Sequence, residues 1–129
     1  MLGATLGAGV GREQGIHGLI VDNLLSVRLV TADGKVLDVS ETSNSDLFWG
    51  VRGSGFNLGI VTSATYKLWP LVNNGEALNA DFIIPASRNG SYWELIQGLQ
   101  VDMPPELGTI SIINYNATSA EVSGGVGFI

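Results

Sequence analysis

The chain has 129 residues, 45% of them hydrophobic, with a formal net charge of −6 and no cysteine. That length supports one ordinary domain with a core. The missing thiols exclude disulfides and thiolate metal sites, and an acidic balance without a basic cluster leaves nucleic-acid binding no electrostatic support.

No apolar run reaches the ~18 residues of a membrane span, and Met1-Leu2-Gly3 lacks the charged and apolar regions of a secretory signal. Glycine supplies 18 of the 129 residues, about double its usual share of roughly 7%, so tight turns or close backbone approaches are expected. Residues 3–18 hold six glycines in sixteen positions and read as a loop. It is either a buried connection or a backbone cradle for a phosphate or ring.

Leu24 to Thr31 alternates, with Leu25, Val27 and Leu29 on one face and Ser26 and Arg28 on the other, as a half-buried strand does. Asp33-Gly34 then predicts a hairpin through a primed turn, returning from Val36 to Ser40 with Leu37 and Val39 inward. Asn44-Ser45 can cap a short helix that ends at Arg52, with Asp46 in its first turn and Leu47, Phe48 and Val51 sharing a face. Trp49 is expected to pack as well.

The run Gly53-Ser54-Gly55-Phe56-Asn57-Leu58-Gly59 throws that helix into a strand over residues 60–68. Ile60, Ala64, Tyr66 and Leu68 take one face, Ser63, Thr65 and Lys67 the other, and Pro70 stops the strand. Asn73-Asn74-Gly75 marks a plausible boundary. Leu78 to Ile84 alternates as a further strand. Ser91-Tyr92-Trp93-Glu94 has the form of a capping box before a helix with Leu95, Ile96 and Leu99 as its stripe, and Thr109 to Asn116 reads as a strand. The tail Ser123 to Gly127 is uninformative. A hairpin followed by alternating helices and strands favours α+β, an antiparallel or mixed sheet flanked by helices, over a doubly wound parallel sheet.

The glycines do not form a dinucleotide fingerprint. Gly53, Gly55 and Gly59 are spaced one residue too long, and the run lies after a helix and before a strand rather than the reverse. A P-loop is excluded because no Gly-Lys-Ser/Thr occurs. A wider constellation is more specific. It runs Leu6-Gly7-Ala8-Gly9-Val10-Gly11, then Gly15-Ile16-His17-Gly18-Leu19-Ile20-Val21-Asp22-Asn23-Leu24-Leu25, then Val27 to Gly34, then Asp46-Leu47-Phe48-Trp49-Gly50-Val51-Arg52 leading into Gly53 to Thr62. In order and spacing, over residues 3–70, it resembles the FAD-linked oxidases of the vanillyl-alcohol-oxidase and berberine-bridge-enzyme type, with wording nearest the fungal members.

The resemblance implies that residues 1–72 are the later part of a PCMH-type FAD-binding domain, its second FAD subdomain, and that residues 73–129 begin a substrate-binding domain. It places Gly3, Gly7, Gly9 and Gly11 along the pyrophosphate and flavin ring. It makes Gly59, Ile60 and Val61 main-chain contacts of FAD, and Asp22, with Asn23, the residue ordering the loop beneath the cofactor. Glycine-freed backbone N–H groups can indeed bind anions without a lysine. FAD and a small-molecule substrate are the implied ligands, with no nucleic acid or membrane. The implied activity is oxidation of an alcohol, sugar or secondary metabolite with dioxygen as acceptor.

Two positions depart from the pattern: Ala8 replaces the middle glycine of the triplet, and Val10 stands where relatives often carry an aromatic or histidine. The flavin-linking histidine and the catalytic base of relatives match no residue here, so the chain reads as an internal slice of a longer oxidase, and no residue of it is assigned to catalysis. Two rival readings are a non-catalytic remnant that does not hold FAD stably and a small interaction domain whose glycine loops grip a partner. His17 reads as a loop histidine bonded to main chain. Arg52 could reach a phosphate or cap its helix. Sequons at Asn89 and Asn116 fit a secreted parent.

Overall fold

The computed structural model describes residues 2–116 and 121–128. The chain divides into two compact units, Met1–Pro70 and Leu71–Ile129.

The first unit contains α1 (Leu2–Leu6), α2 (Gln14–His17), β1 (Leu24–Val30), β2 (Val36–Ser40), α3 (Ser45–Ser54) and β3 (Ile60–Tyr66). The glycine-rich opening is thus two short helical segments rather than a continuous loop. The three strands form one antiparallel sheet in the order β2-β1-β3. One face buries Leu24, Val27, Leu29 and Val39 against Phe48 and Val51 of α3, with Leu6 of α1 beside them. Burying a side chain of this size contributes ~1.5–3 kcal/mol, so this cluster holds the unit together.

The hairpin forms as expected, but its turn is not a primed one. Gly34 N–H donates to Thr31 O (2.9 Å) and Thr31 N–H to Lys35 O (2.9 Å), and only Gly34 of the turn has a positive φ, +80°. This is the three-residue loop that closes on a left-handed glycine.

Two β-bulges change which residues face inward. The pairing steps from Leu24↔Tyr66 to Ser26↔Thr65, leaving Leu25 as an extra residue on β1, and from Arg28↔Ser63 to Leu29↔Val61, leaving Thr62 extra on β3. An extra residue reverses the alternation beyond it. Leu24 is therefore buried while Leu25 is 51% exposed, and Val61 joins the core while Ile60 is 71% exposed.

Helix α3 also departs from expectation. Asn44 adopts a left-handed conformation and makes no cap; its Nδ2 donates instead to Asp38 O (2.9 Å). Trp49 is 81% exposed. Regular helical angles end at Val51, since Arg52 and Gly53 (φ +153°) are non-helical.

The second unit contains β4 (Ala80–Ile84), α4 (Asn89–Val101), β5 (Thr109–Asn116) and β6 (Glu121–Phe128), its sheet antiparallel in the order β4-β6-β5. The featureless tail is thus the central strand, where hydrogen bonding along both edges offsets the weakness of strand-interior glycines. Helix α4 starts at Asn89, directly after a 3-10 turn closed by Arg88 N–H to Pro85 O (2.9 Å). Ser91 therefore lies inside the helix and no capping box forms. Tyr92, buried, leads a stripe with the half-buried Ile96 and Leu99, whereas Leu95 is exposed. The second sequon extends to Ala117 and Thr118, which lie outside the described residues. Among the described residues, no helix is long and apolar enough to cross a membrane.

Candidate functional site

The two glycine-rich stretches of the first unit meet. Gly55 lies against Leu6 so closely that an added Cβ would stand 2.6 Å from a Leu6 methyl. After α1 the chain turns through Ala8 (φ +89°) and Gly9 (φ +73°). The two carbonyls of this turn accept N–H bonds from Val21 (3.1 Å) and Ile20 (2.9 Å), which lace the loop to the 3-10 turn Ile20–Asn23. Gly9 is buried, and its Cβ would fall 2.7 Å from Ile20 Cβ, so packing alone demands glycine there.

Asp22 and Asn23 fasten this loop. Asp22 Oδ2 accepts from Leu19 N–H (2.9 Å), and Asp22 Oδ1 pairs with Arg52 (3.6 Å). Asn23 Nδ2 donates to His17 O (2.9 Å) and Leu19 O (3.1 Å), and Asn23 Oδ1 accepts from Trp69 Nε1 (2.6 Å). His17 does not bond to main chain through its ring. The ring stacks on Trp69 with centroids 4.6 Å apart, Nε2 is buried without a hydrogen-bond partner, and Glu13 lies 3.9 Å away. Lys67 Nζ sits 3.6 Å from the Trp69 ring centre.

Between the first loop and the end of α3 lies a hollow of about 520 Å³, lined by Ala8, Val21, Asp22, Trp49, Arg52 and Gly53 among others. Nothing stands within 4 Å of where a Gly53 Cβ would be, so bare main chain faces this space. Of the residues nominated from sequence, Asp22 alone lines this hollow. Gly11 lines a second one of about 380 Å³ with His17 and Trp69. Gly3 faces open space and Gly7 makes ordinary contacts. Gly59 is pressed on the Val30 carbonyl, Ile60 is exposed, and Val61 packs on the core. Two further lining residues carry no signal in the sequence: Trp49, which precedes the glycine run, and Ser54, which lies inside it. Among the described residues, no three histidine, aspartate or glutamate side chains cluster as metal ligands would.

The electrostatics restrict what the 520 Å³ hollow can hold. It opens at the C-terminal end of α3, where the helix presents partial negative charge, and its cation, Arg52, is already paired with Asp22. An apolar wall of Leu19, Val21 and Trp49 with uncovered backbone at Gly53 suits a neutral ring or a hydroxylated group better than a bare phosphate. These residues fit the planar and polyol parts of a flavin nucleotide.

Ala8 is a non-glycine residue in the left-handed region, which costs an L side chain roughly 1–2 kcal/mol. Its N–H donates to Thr5 O (3.1 Å) and its carbonyl accepts from Val21, and neither bond needs the methyl. Ala8→Gly is therefore expected to stabilise the chain by about 0.5–1 kcal/mol after the added unfolded-state entropy of glycine. A higher urea midpoint at unchanged slope would show it.

No family model matches the chain. It is 51% identical over 122 residues to the FAD-linked oxidoreductase azaL of Aspergillus niger, spanning 95% of this chain and 26% of that protein. It is 52% identical over 130 residues to the FAD-linked oxidoreductase fogF of Aspergillus ruber, spanning 99% and 26%. Among solved structures it resembles the Physcomitrella patens BBE-like 1 protein, with a TM-score of 0.75 and 27% identity over 98% of this chain and 27% of that one. It also resembles the carbohydrate oxidase of Microdochium nivale, with a TM-score of 0.69 and 26% identity over 99% and 27%. The chain spans about a quarter of the length of these relatives. It is an α+β relative of the fungal FAD-linked oxidoreductases, with the fold of the corresponding quarter of the berberine-bridge-enzyme-like oxidases.

Proposed function

We propose that this chain supplies one wall of the flavin cradle in an FAD-dependent oxidoreductase acting on an alcohol, sugar or secondary metabolite, with dioxygen as electron acceptor. On this reading residues 1–72 are the later part of the FAD-binding domain and residues 73–129 begin the substrate-binding domain. Bound FAD supplies the hydride acceptor and the reaction with dioxygen. The chain's own residues bind and orient: Asp22 and Asn23 hold the loop, Gly53 leaves main chain uncovered, and Trp49 offers an aromatic face. None of the described residues is assigned a proton transfer.

The observation that carries the reading is the hollow between the two glycine-rich stretches, apolar on one side and bare backbone on another. A single wall binds weakly, so the test must detect weak binding. Titration of the labelled chain with millimolar FAD is expected to shift the amide signals of Ala8, Gly53 and Ser54 and the Trp49 indole. Trp49→Ala, at an exposed helical position, is expected to keep the fold and weaken binding about fivefold, equivalent to ~1 kcal/mol for a stacked aromatic pair. Absence of shifts at these groups, or shifts indifferent to Trp49→Ala, would refute the cradle.

A further inference from the structure

The chain contains three Asx-Gly pairs, Asp33-Gly34, Asn74-Gly75 and Asn89-Gly90, and the structure treats them differently. Such pairs are open to self-modification because glycine has no side chain to shield its nitrogen. The Gly N–H loses its proton, and the nitrogen bonds to the side-chain carbonyl carbon of the preceding residue. For asparagine the bond to the amide nitrogen breaks and ammonia leaves. Water then opens the five-membered imide at either carbonyl, leaving aspartate or isoaspartate. No oxidant or reductant takes part.

The geometry points to Asn74 as a site of spontaneous deamidation in the folded chain, with Asn89 and Asp33 protected. All of these side chains are exposed, so accessibility does not separate them; the backbone does. Asn73 (φ +47°), Asn74 (φ +56°) and Gly75 (φ +81°) are three left-handed residues in succession. Asparagine enters that region more readily than other L residues, but as a single residue rather than in succession. Imide closure requires Asn74 to rotate out of this conformation, and the segment is relieved by the rotation. The bonds that bracket it are few: Glu76 N–H donates to Asn73 O (3.0 Å) and Asn73 Nδ2 to Glu76 O (3.3 Å). The Asn74 amide has no hydrogen-bond partner among the described residues.

Asn89 is the first residue of α4, a helix of 13 residues anchored by the buried Tyr92. Closing the imide there would break the opening helical turn. In the hairpin, Gly34 N–H is already donated to Thr31 O, and the Asp33 carboxylate is engaged by Lys35 (2.7 Å) and by the Thr31 hydroxyl. Those bonds occupy a carboxylate that is ionised at neutral pH, and an ionised carboxylate is a poor acceptor for a nucleophile. Reaction at Asn74 places a new negative charge just beyond the division after Pro70, and in isoaspartate it also lengthens the main chain there by one methylene.

The test is incubation of the 129-residue chain over days at mildly alkaline pH, native and in denaturant, with peptide mapping by mass spectrometry. In the native chain Asn74 is expected to convert severalfold faster than Asn89, with isoaspartate among its products, and in denaturant the two rates should converge. Native rates that are equal, or an Asn74 slowed by folding as much as Asn89 is, would overturn the inference.

Discussion

Gly59→Ala is expected to destabilise the first unit by several kcal/mol. Gly59 has φ +150°, and a Cβ built there lies 2.3 Å from the Val30 carbonyl oxygen and 3.1 Å from its carbon. A side chain in the way could rotate aside, but this obstacle is main chain. Val30 belongs to the central strand, paired with Val36 on one side and Ile60 on the other, so it cannot retreat without opening a ladder. A strained backbone costs about 1–3 kcal/mol and overpacking a further ~1–3 kcal/mol. Together these reach roughly 2–6 kcal/mol, set against a typical total of about 5–15 kcal/mol. Urea denaturation followed by circular dichroism measures the loss, and a variant within about 1 kcal/mol of the parent would show that β3 can shift. Packing alone thus requires glycine at a position that the family resemblance links to FAD. A loss of flavin binding in this variant would speak for a cofactor contact only if folding were shown intact.

The sequence shows the hairpin and the buried stripe of α3 clearly, because each depends on neighbours a few positions apart. It does not show Leu25 and Ile60 turning outward. The period-2 rule assumes an unbroken ladder, and a bulge depends on the partner strand, which local sequence does not reveal. The same holds for β6. Its glycines read as a tail in isolation and as a strand only when Ile83 and Ile112 flank Gly125 on either side. For the candidate site, the glycine runs identify where main chain is special but not what approaches it. Gly9, Gly55 and Gly59 are pressed on Ile20, Leu6 and Val30, and Gly53 faces an open hollow. Trp49 shows the converse error. Its helical position suggests packing, yet it lies on the face of α3 opposite the core, beside that hollow.

Leu29→Ala is expected to cost about 3 kcal/mol, within the ~2–5 kcal/mol typical of emptying a fully buried leucine site. Leu29 is 0% exposed near the end of the middle strand, among Val39, Phe48 and Val51. Ladder bonds hold the surrounding backbone on both sides, so the cavity has little room to collapse. Leu29 is also coupled to the first prediction, since its Cδ1 lies 3.2 Å from the Cβ position of Gly59. Combining the two substitutions separates side-chain crowding from backbone collision. If the Val30 carbonyl is the decisive obstacle, Leu29→Ala relieves little, and the double variant should lose nearly the sum of the single losses, with coupling below about 1 kcal/mol. A double variant as stable as Leu29→Ala alone would instead place the obstruction on the leucine methyl and show that the main chain yields.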